Sequence, residues 1–269
     1  MEQITEILVK LPDELVRPQA RYTPEQLAEA QRKMQEKLAR ELGICEPYCP
    51  ECGGIGYVRT GDGGMTMCSR VDRWKLPGSE RIGISREEAE TLDWQVMKLI
   101  NPSIQEAIDA IQRILAWGFG WVYLHGPWGT GKTEILKIAT AVALRQRKDA
   151  AYTRMSEILD HLRESFDEKS GESESARLDW WSQLPVLCID EFDKLRQTPY
   201  GEERRFVLLD RRYEQAIRRE TATIIASNEP PDRLPGYLAD RVGDGRFFTV
   251  RIIGDSFRPG MDWVKDVPA

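Results

Sequence analysis

GPWGTGKT, running from Gly126 to Thr133, decides how the rest of the sequence is read. The run fits the phosphate-loop pattern GxxxxGK[ST]. Gly126, Gly129 and Gly131 allow backbone N–H groups to turn inward around phosphate oxygens, and Pro127, Trp128 and Thr130 fill the positions between them. Lys132 is placed to reach the β- and γ-phosphates of a nucleotide, and the Thr133 hydroxyl to bind Mg2+. An apolar run, Trp121–His125, precedes the loop, and a helical pattern through Ile135, Ile138, Ala139 and Val142 follows it. The loop therefore joins a strand to a helix whose positive end faces the anion. Trp128 is bulky for such a loop, and the sequence gives no reason for it.

A second apolar run, Val186-Leu187-Cys188-Ile189, ends in Asp190-Glu191. A buried strand ending in two carboxylates places Asp190 to hold the Mg2+ shell and Glu191 to polarise an attacking water. Cys188 inside it reads as a small buried hydrophobe. A third run, Thr223–Ser227, ends in Asn228, whose amide lies at the strand end where a parallel sheet gathers its ligands and is suited to orienting that water.

Further strands are expected at Ala151–Met155 and Phe247–Ile253, and helices from Asn101-Pro102 through Leu115, at 157–166 and at 204–219. Asn101-Pro102 starts the first of these, with Ile104, Ile108, Ile111 and Leu115 on one face. Lys169–Ser175 (KSGESES) reads as a polar loop. Strands alternating with helices predict an α/β fold, a central parallel sheet flanked by helices on both faces. Before it, 1–44 reads as a mainly helical segment in which Thr23 caps a helix with Pro24 at its first position. A cysteine- and glycine-rich module occupies 45–70, a connector 71–100 and the nucleotide-binding domain 101–269.

The chain has 269 residues, 41% of them hydrophobic and 30% charged, which suits one large domain with a small accessory module. A net charge of -6 excludes a protein coated in nucleic acid by bulk electrostatics, so any DNA contact needs a local basic or aromatic site. MEQITEILVK lacks the pattern of an export signal, and no run approaches the ~18 apolar residues of a membrane span. A cytoplasmic, membrane-free protein is expected, with its five cysteines serving as metal ligands or buried thiols.

Together these motifs resemble the AAA+ ATPases of the bacterial and phage helicase-loader group, the DnaC and DnaI types, and the related IstB-type transposition helpers. The resemblance covers about residues 100–260. It rests on GPWGTGKT at 126–133, VLCIDEF at 186–192, LLDRRYEQAI at 208–217, IIASN at 224–228, LADRV at 238–242 and GDSFR at 254–258. It implies a slow, Mg2+-dependent ATPase that self-assembles into a homo-oligomer, binds single-stranded DNA and delivers a DnaB-type replicative ring helicase. It also implies that Asn228 senses the γ-phosphate, that Arg241 is an arginine finger inserted into the neighbouring subunit's site, and that Arg258 is a second sensor within its own subunit. Gly243-Asp244-Gly245 interrupts the basic run that the family carries after the finger, which leaves Arg246 as the alternative. The same resemblance implies single-stranded DNA contacts at Phe166, Thr198 and Tyr200.

Cys45-x3-Cys49-x2-Cys52, then fifteen residues to Cys68, offers four thiolates around a glycine-rich turn, a set suited to tetrahedral Zn2+. A segment so short and polar needs such a staple to fold. DnaI-type loaders carry a zinc module of similar layout. Arginine pairs at 204–205, 211–212 and 218–219 recur every seven residues, a stripe that reads either as a DNA contact or as a solvated face, with Phe206, Leu209, Tyr213 and Ile217 turned to the core. The competing readings are an IstB-type ATPase that assembles on DNA and directs a transposase, a small-molecule kinase, which has no use for an intersubunit arginine, and a zinc-dependent adaptor, which has no use for Glu191.

Overall fold

Apolar runs with no polar alternation form strands buried on both faces, and that is how the sheet is built. The computed structural model describes Glu29, Lys33, Cys45, 49–54, 56–59, Gly61, 65–76, 79–97, 101–166, 171–194 and 198–257. The helix expected around Pro24 and the expected second sensor Arg258 lie outside these residues. The chain divides into two compact units, 1–79 and 80–269, so the expected connector 71–100 is shared between them.

In the first unit, strands β1 (Tyr57–Arg59) and β2 (Met65–Met67) pair antiparallel, Tyr57 opposite Met67. The four cysteines flank this hairpin and are buried.

The second unit opens with a short helix, α1 (Arg86–Thr91), started by a capping box between Ser85 and Glu88. Glu88 pairs with Lys137 at 2.7 Å, and Arg145 donates to the carbonyls of Ala89 and Leu92 at 2.6 Å. Helix α2 (Pro102–Trp117) starts where the Asn101 side chain accepts from the Ile104 N–H, and stops at Gly118, whose φ of 81° few other residues tolerate. Then come β3 (Gly120–His125), α3 (Lys132–Arg145), β4 (Ala150–Arg154), α4 (Met155–Arg163), α5 (Glu174–Gln183), β5 (Val186–Asp190), α6 (Pro199–Ile217), β6 (Ala222–Ser227), α7 (Gly236–Val242) and β7 (Phe248–Arg251). The strands form one parallel sheet in the order β4-β5-β6-β3-β7. In that register His125 lies opposite Ser227 and Arg154 opposite Asp190, so the carboxyl ends of four strands come level.

Two expectations are corrected here. The polar loop expected through Ser175 ends at Ser173, which caps α5 by accepting from the Ala176 N–H. The periodicity of α5 is disguised because one of its core positions is Arg177, buried and bonded to the His161 carbonyl and Glu164. The second correction concerns α6, where Arg205, Leu208, Leu209, Arg212 and Ala216 form the inward face while Phe206 and Ile217 are exposed. The arginine pairs thus do not form a single exposed stripe.

Arg212 is fully buried. Its guanidinium donates to Thr223 Oγ1 at 2.8 Å and to the carbonyls of Trp181, Ser182, Leu184 and Ala222 at 2.7–3.0 Å. Burial pushes its pKa down to about 9. Five acceptors are therefore needed to hold the cation where no carboxylate reaches it. Arg212→Met keeps the bulk but leaves four buried carbonyls without that donor, and we expect it to lower stability by about 3–5 kcal/mol, read from urea denaturation.

Candidate nucleotide site and cysteine cluster

At the carboxyl ends of the strands, the loop after β3 turns into α3 with φ of 78° at Gly129 and 88° at Gly131, a backbone that curls N–H groups inward. A Cβ on Gly126 would lie 2.2 Å from the Ile252 carbonyl oxygen, so only glycine fits where the loop passes the end of β7. Lys132 is buried and its ammonium donates to the carbonyls of Gly126 at 2.8 Å and Pro127 at 2.6 Å. Thr130 donates to the same Pro127 carbonyl at 2.9 Å.

Asp190 ties three elements together. Its Oδ2 accepts from Thr133 Oγ1 at 2.7 Å and from the Tyr152 hydroxyl at 2.9 Å, while Oδ1 accepts the Glu191 N–H at 2.8 Å. Glu191 sits at φ 48°, a left-handed conformation that costs a side chain of this kind ~1 kcal/mol or more. Its carboxylate meets Arg154 Nε at 3.3 Å and Lys194 Nζ at 2.5 Å. Asn228 is fixed by Asp193, which accepts its side-chain and backbone N–H groups at 2.9 Å. Burial works to raise the Asp193 pKa, but the bonds from Asn228 and Ser227 outweigh it and hold the carboxyl below its usual range.

Lys132, Thr133, Asp190, Glu191, Asp193, Lys194 and Asn228 line one cleft, with Trp128 and Phe257 at its rim. Phe257 is strapped there by its N–H to the Gly129 carbonyl at 3.0 Å, and Trp128 is 67% exposed. Every residue expected at the nucleotide site among those described, except the arginines, is in this cleft or in the loop that forms it. The sequence reading missed Tyr152, Arg154, Asp193 and Lys194. Only the positions of Arg154 and Tyr152 on an expected strand hinted at them.

Arg241 is elsewhere. It is paired with Asp210 and lies over the rings of Tyr213 at 5.2 Å and of Phe206 and Tyr237 at 5.6 Å. Arg246 has a side chain 60% exposed, bonded to Asp244 at 2.5 Å and to the Tyr213 hydroxyl at 3.0 Å. Phe166 and Tyr200 are brought together, ring centroids 5.8 Å apart, with Arg163 and Arg204 over the Tyr200 ring. Phe166 is 64% exposed. Thr198 is not part of that pair, since its hydroxyl caps α6 by accepting from the Gly201 N–H.

In the first unit the sulfurs of Cys45, Cys49, Cys52 and Cys68 all lie within 4.8 Å of one another. The Cys49–Cys68 and Cys45–Cys52 separations are both 3.6 Å. A tetrahedron of sulfurs ~2.3 Å from Zn2+ has edges of ~3.8 Å, so the set fits that ion, and four soft thiolates are its usual structural ligands. Backbone N–H groups of Gly56 and Arg70 point at Cys52 and Cys68, at 3.2 Å and 3.5 Å, as donors that would stabilise bound thiolates. Atomic absorption on protein purified without chelators is expected to find one zinc per chain. Chelation should unfold 45–70 and leave nucleotide binding intact, and a metal-free protein with a folded hairpin would refute the assignment.

Residues 119–242 match the family described as IstB-like ATP binding protein. No curated protein matches the chain. Among solved structures, a DNA replication initiation factor matches at 16% identity and a TM-score of 0.53, over 62% of this chain and 50% of its own. The replication initiator DnaA bound to AMPPCP and single-stranded DNA matches at 16% identity and 0.52, over 61% and 50%. DnaI matches at 19% identity and 0.49, over 64% and 93%. The chain thus spans about half the length of the two initiator structures. No helix among the described residues is long and apolar enough to cross a membrane. Residues 119–242 are thus similar to the IstB-like ATP binding proteins, and the parallel sheet with its phosphate loop is a fold shared with the two initiator structures.

Proposed function

We propose that the chain is an ATP-hydrolysing helicase loader that assembles on single-stranded DNA and delivers a DnaB-type ring helicase. The observation that carries the ATPase part is the meeting of Lys132, Thr133, Asp190, Glu191 and Asn228 in one cleft. The loader part is supported by the LLDRRYEQAI, LADRV and GDSFR runs and by the pairing of exposed Phe166 with half-buried Tyr200 beside two arginines. Stacking on such rings suits an acidic protein because it needs no bulk positive charge.

In this reading the loop N–H groups and the Lys132 ammonium, released from the carbonyls of Gly126 and Pro127, hold the phosphates. Thr133 and Asp190 would hold Mg2+, which supplies charge neutralisation at the β- and γ-phosphates. Water attacks the γ-phosphorus, the bond to the β–γ bridging oxygen breaks and ADP leaves. Glu191, freed from Arg154 and Lys194, takes the proton from the water that Asn228 orients.

Among the described residues, the cleft lining includes no arginine, and Arg154, which reaches Glu191 from β4, is committed to that carboxylate. Charge on the transferring phosphoryl calls for one, and supplying it from a neighbouring copy makes turnover depend on assembly. Delivering Arg241 would uncover a largely buried side chain and break its bond to Asp210 and its contacts with three rings, whereas Arg246, 60% exposed, would give up only its bonds to Asp244 and the Tyr213 hydroxyl. We therefore assign the finger to Arg246 and a packing role to Arg241. Neither Arg246→Ala nor Lys132→Ala is expected to hydrolyse ATP alone, and mixing them should restore part of the activity. No recovery on mixing, with Arg246→Ala alone fully active, would return the role to Arg241 or end the trans reading.

The family match at 119–242 also favours a second reading, an ATPase that assists a transposase. Glu191→Gln is expected to bind ATP without turning it over, and so to hold the assembled state. Co-purification of that variant with a replicative helicase supports the loader; co-purification with a transposase replaces it.

A further inference from the structure

The nucleotide cleft lies at the carboxyl ends of the strands, and a different surface lies at their amino ends. There Trp117 ends α2, Phe119 leads into β3 and Phe248 opens the edge strand β7. The Trp117 ring stacks on Phe119 at 5.9 Å and on Phe248 at 6.0 Å, with interplanar angles of 24° and 30°. Trp117 is 52% exposed. Three near-parallel rings, the middle one half in water, form a step. The guanidinium of Arg113 lies over Phe248 at 6.0 Å and that of Arg219 over Phe119 at 5.6 Å, so the step is flanked by cations on both sides.

The state of these cations sets them apart from the half-buried arginines of α6 and α7. Those are paired: Arg204 with Glu174, Arg211 with Asp179, Arg241 with Asp210. Arg113, Arg218 and Arg219 are exposed and have no carboxylate partner among the described residues. The last of the three arginine pairs in the sequence is thus the one left unneutralised, and it stands beside the aromatic step.

We propose that Trp117, Phe119 and Phe248, with Arg113, Arg218 and Arg219, form a docking platform for single-stranded nucleic acid on the face opposite the nucleotide cleft. The proposal rests on the reading of the chain as a single-stranded DNA binder. An anion that also carries flat π faces matches both features at once: a base stacks on the open Trp117 face while its flanking phosphates meet the guanidiniums. An apolar protein partner would match the rings but leave three unpaired cations at its rim. Duplex DNA would match the cations but keep its bases out of reach of the rings.

The test uses the full chain, a labelled oligo-dT and fluorescence anisotropy at several salt concentrations. Trp117→Ala is expected to weaken binding about tenfold and Trp117→Phe to keep most of it, since stacking survives on a smaller ring. Arg219→Gln should flatten the salt dependence by ~0.7 in log–log slope, the loss of one phosphate contact to a single strand. Affinity for a fluorescent ATP analogue should not change in any of the three, which separates a local loss from misfolding. Ultraviolet cross-linking to bromouracil-substituted strands should label Trp117. Wild-type binding with Trp117→Ala binding equally well overturns the platform while leaving the loader reading in place. An altered oligomeric state in Trp117→Ala, with oligo-dT affinity unchanged, makes the surface a contact between copies and also overturns it. If the wild-type chain binds no oligo-dT with or without nucleotide, the loader reading falls first.

Discussion

The site depends on a buried cation far from it. Arg212 reaches the carbonyls that close α5 and lead into β5, and it also reaches Ala222 and Thr223 at the start of β6. It therefore fixes where both strands begin, in the register that sets Val186 against Ala222. A parallel ladder carries that choice along its length. A slip of one residue would displace the end of β6 by ~3.3 Å and turn its side chains to the opposite face. Asn228 would then leave the cleft and Asp193 would lose both bonds it accepts from that residue. An ion with five donors and no carboxylate partner is costly to bury, but few alternative arrangements can satisfy it, and that makes it a register pin.

At the other end of the same strands, the chemistry is held poised rather than open. The Asp190 carboxylate is satisfied by Thr133, Tyr152 and the Glu191 N–H, so the loop after β3, the edge strand β4 and β5 share one oxygen-centred joint. Glu191 departs from that joint in a left-handed conformation, with its carboxylate drawn toward Arg154 and Lys194. Lys132 likewise rests on carbonyls of its own loop. Lys132, Asp190, Glu191, Asp193 and Lys194 thus each have an internal partner, and an incoming polyphosphate must compete for the two ammonium groups. Strain and pairing of this kind at a strand end fit a site that works only when something else rearranges it.

What could be read from the sequence was whatever is fixed by short covalent spacing. GPWGTGKT brings its own backbone geometry, and the apolar runs ending at His125, Asp190 and Ser227 could only be strands covered on both faces. The four cysteines converge because the turn between them is short, and their sulfurs meet as the spacing implied. The reading failed where polar side chains occupy the core. Arg205 and Arg212 were placed on a solvated stripe because arginine is a surface residue by default, and this turned the expected inward face of α6 toward Phe206 and Ile217. Arg177 hid α5 in the same way. Tyr152, Arg154 and Asp193 carry no motif, since their importance comes from strands that are distant in sequence and adjacent in the sheet.

The fates of the arginines also explain how a chain of net charge -6 can offer anionic ligands a foothold. Some are spent inside the fold, as Arg212 and Arg177 are, and others are cancelled by acidic neighbours, as Arg211 is by Asp179. Arg218 and Arg219 close α6, where the helix dipole favours a cation, so their placement has a local cause that needs no ligand. The rings beside them have no such cause. An exposed Trp117 stacked between Phe119 and Phe248 gains nothing from the dipole and keeps a wide apolar face in water. The cations alone would be ordinary. Their coincidence with open aromatic faces, where nothing neutralises them, gives this end of the sheet its chemical character.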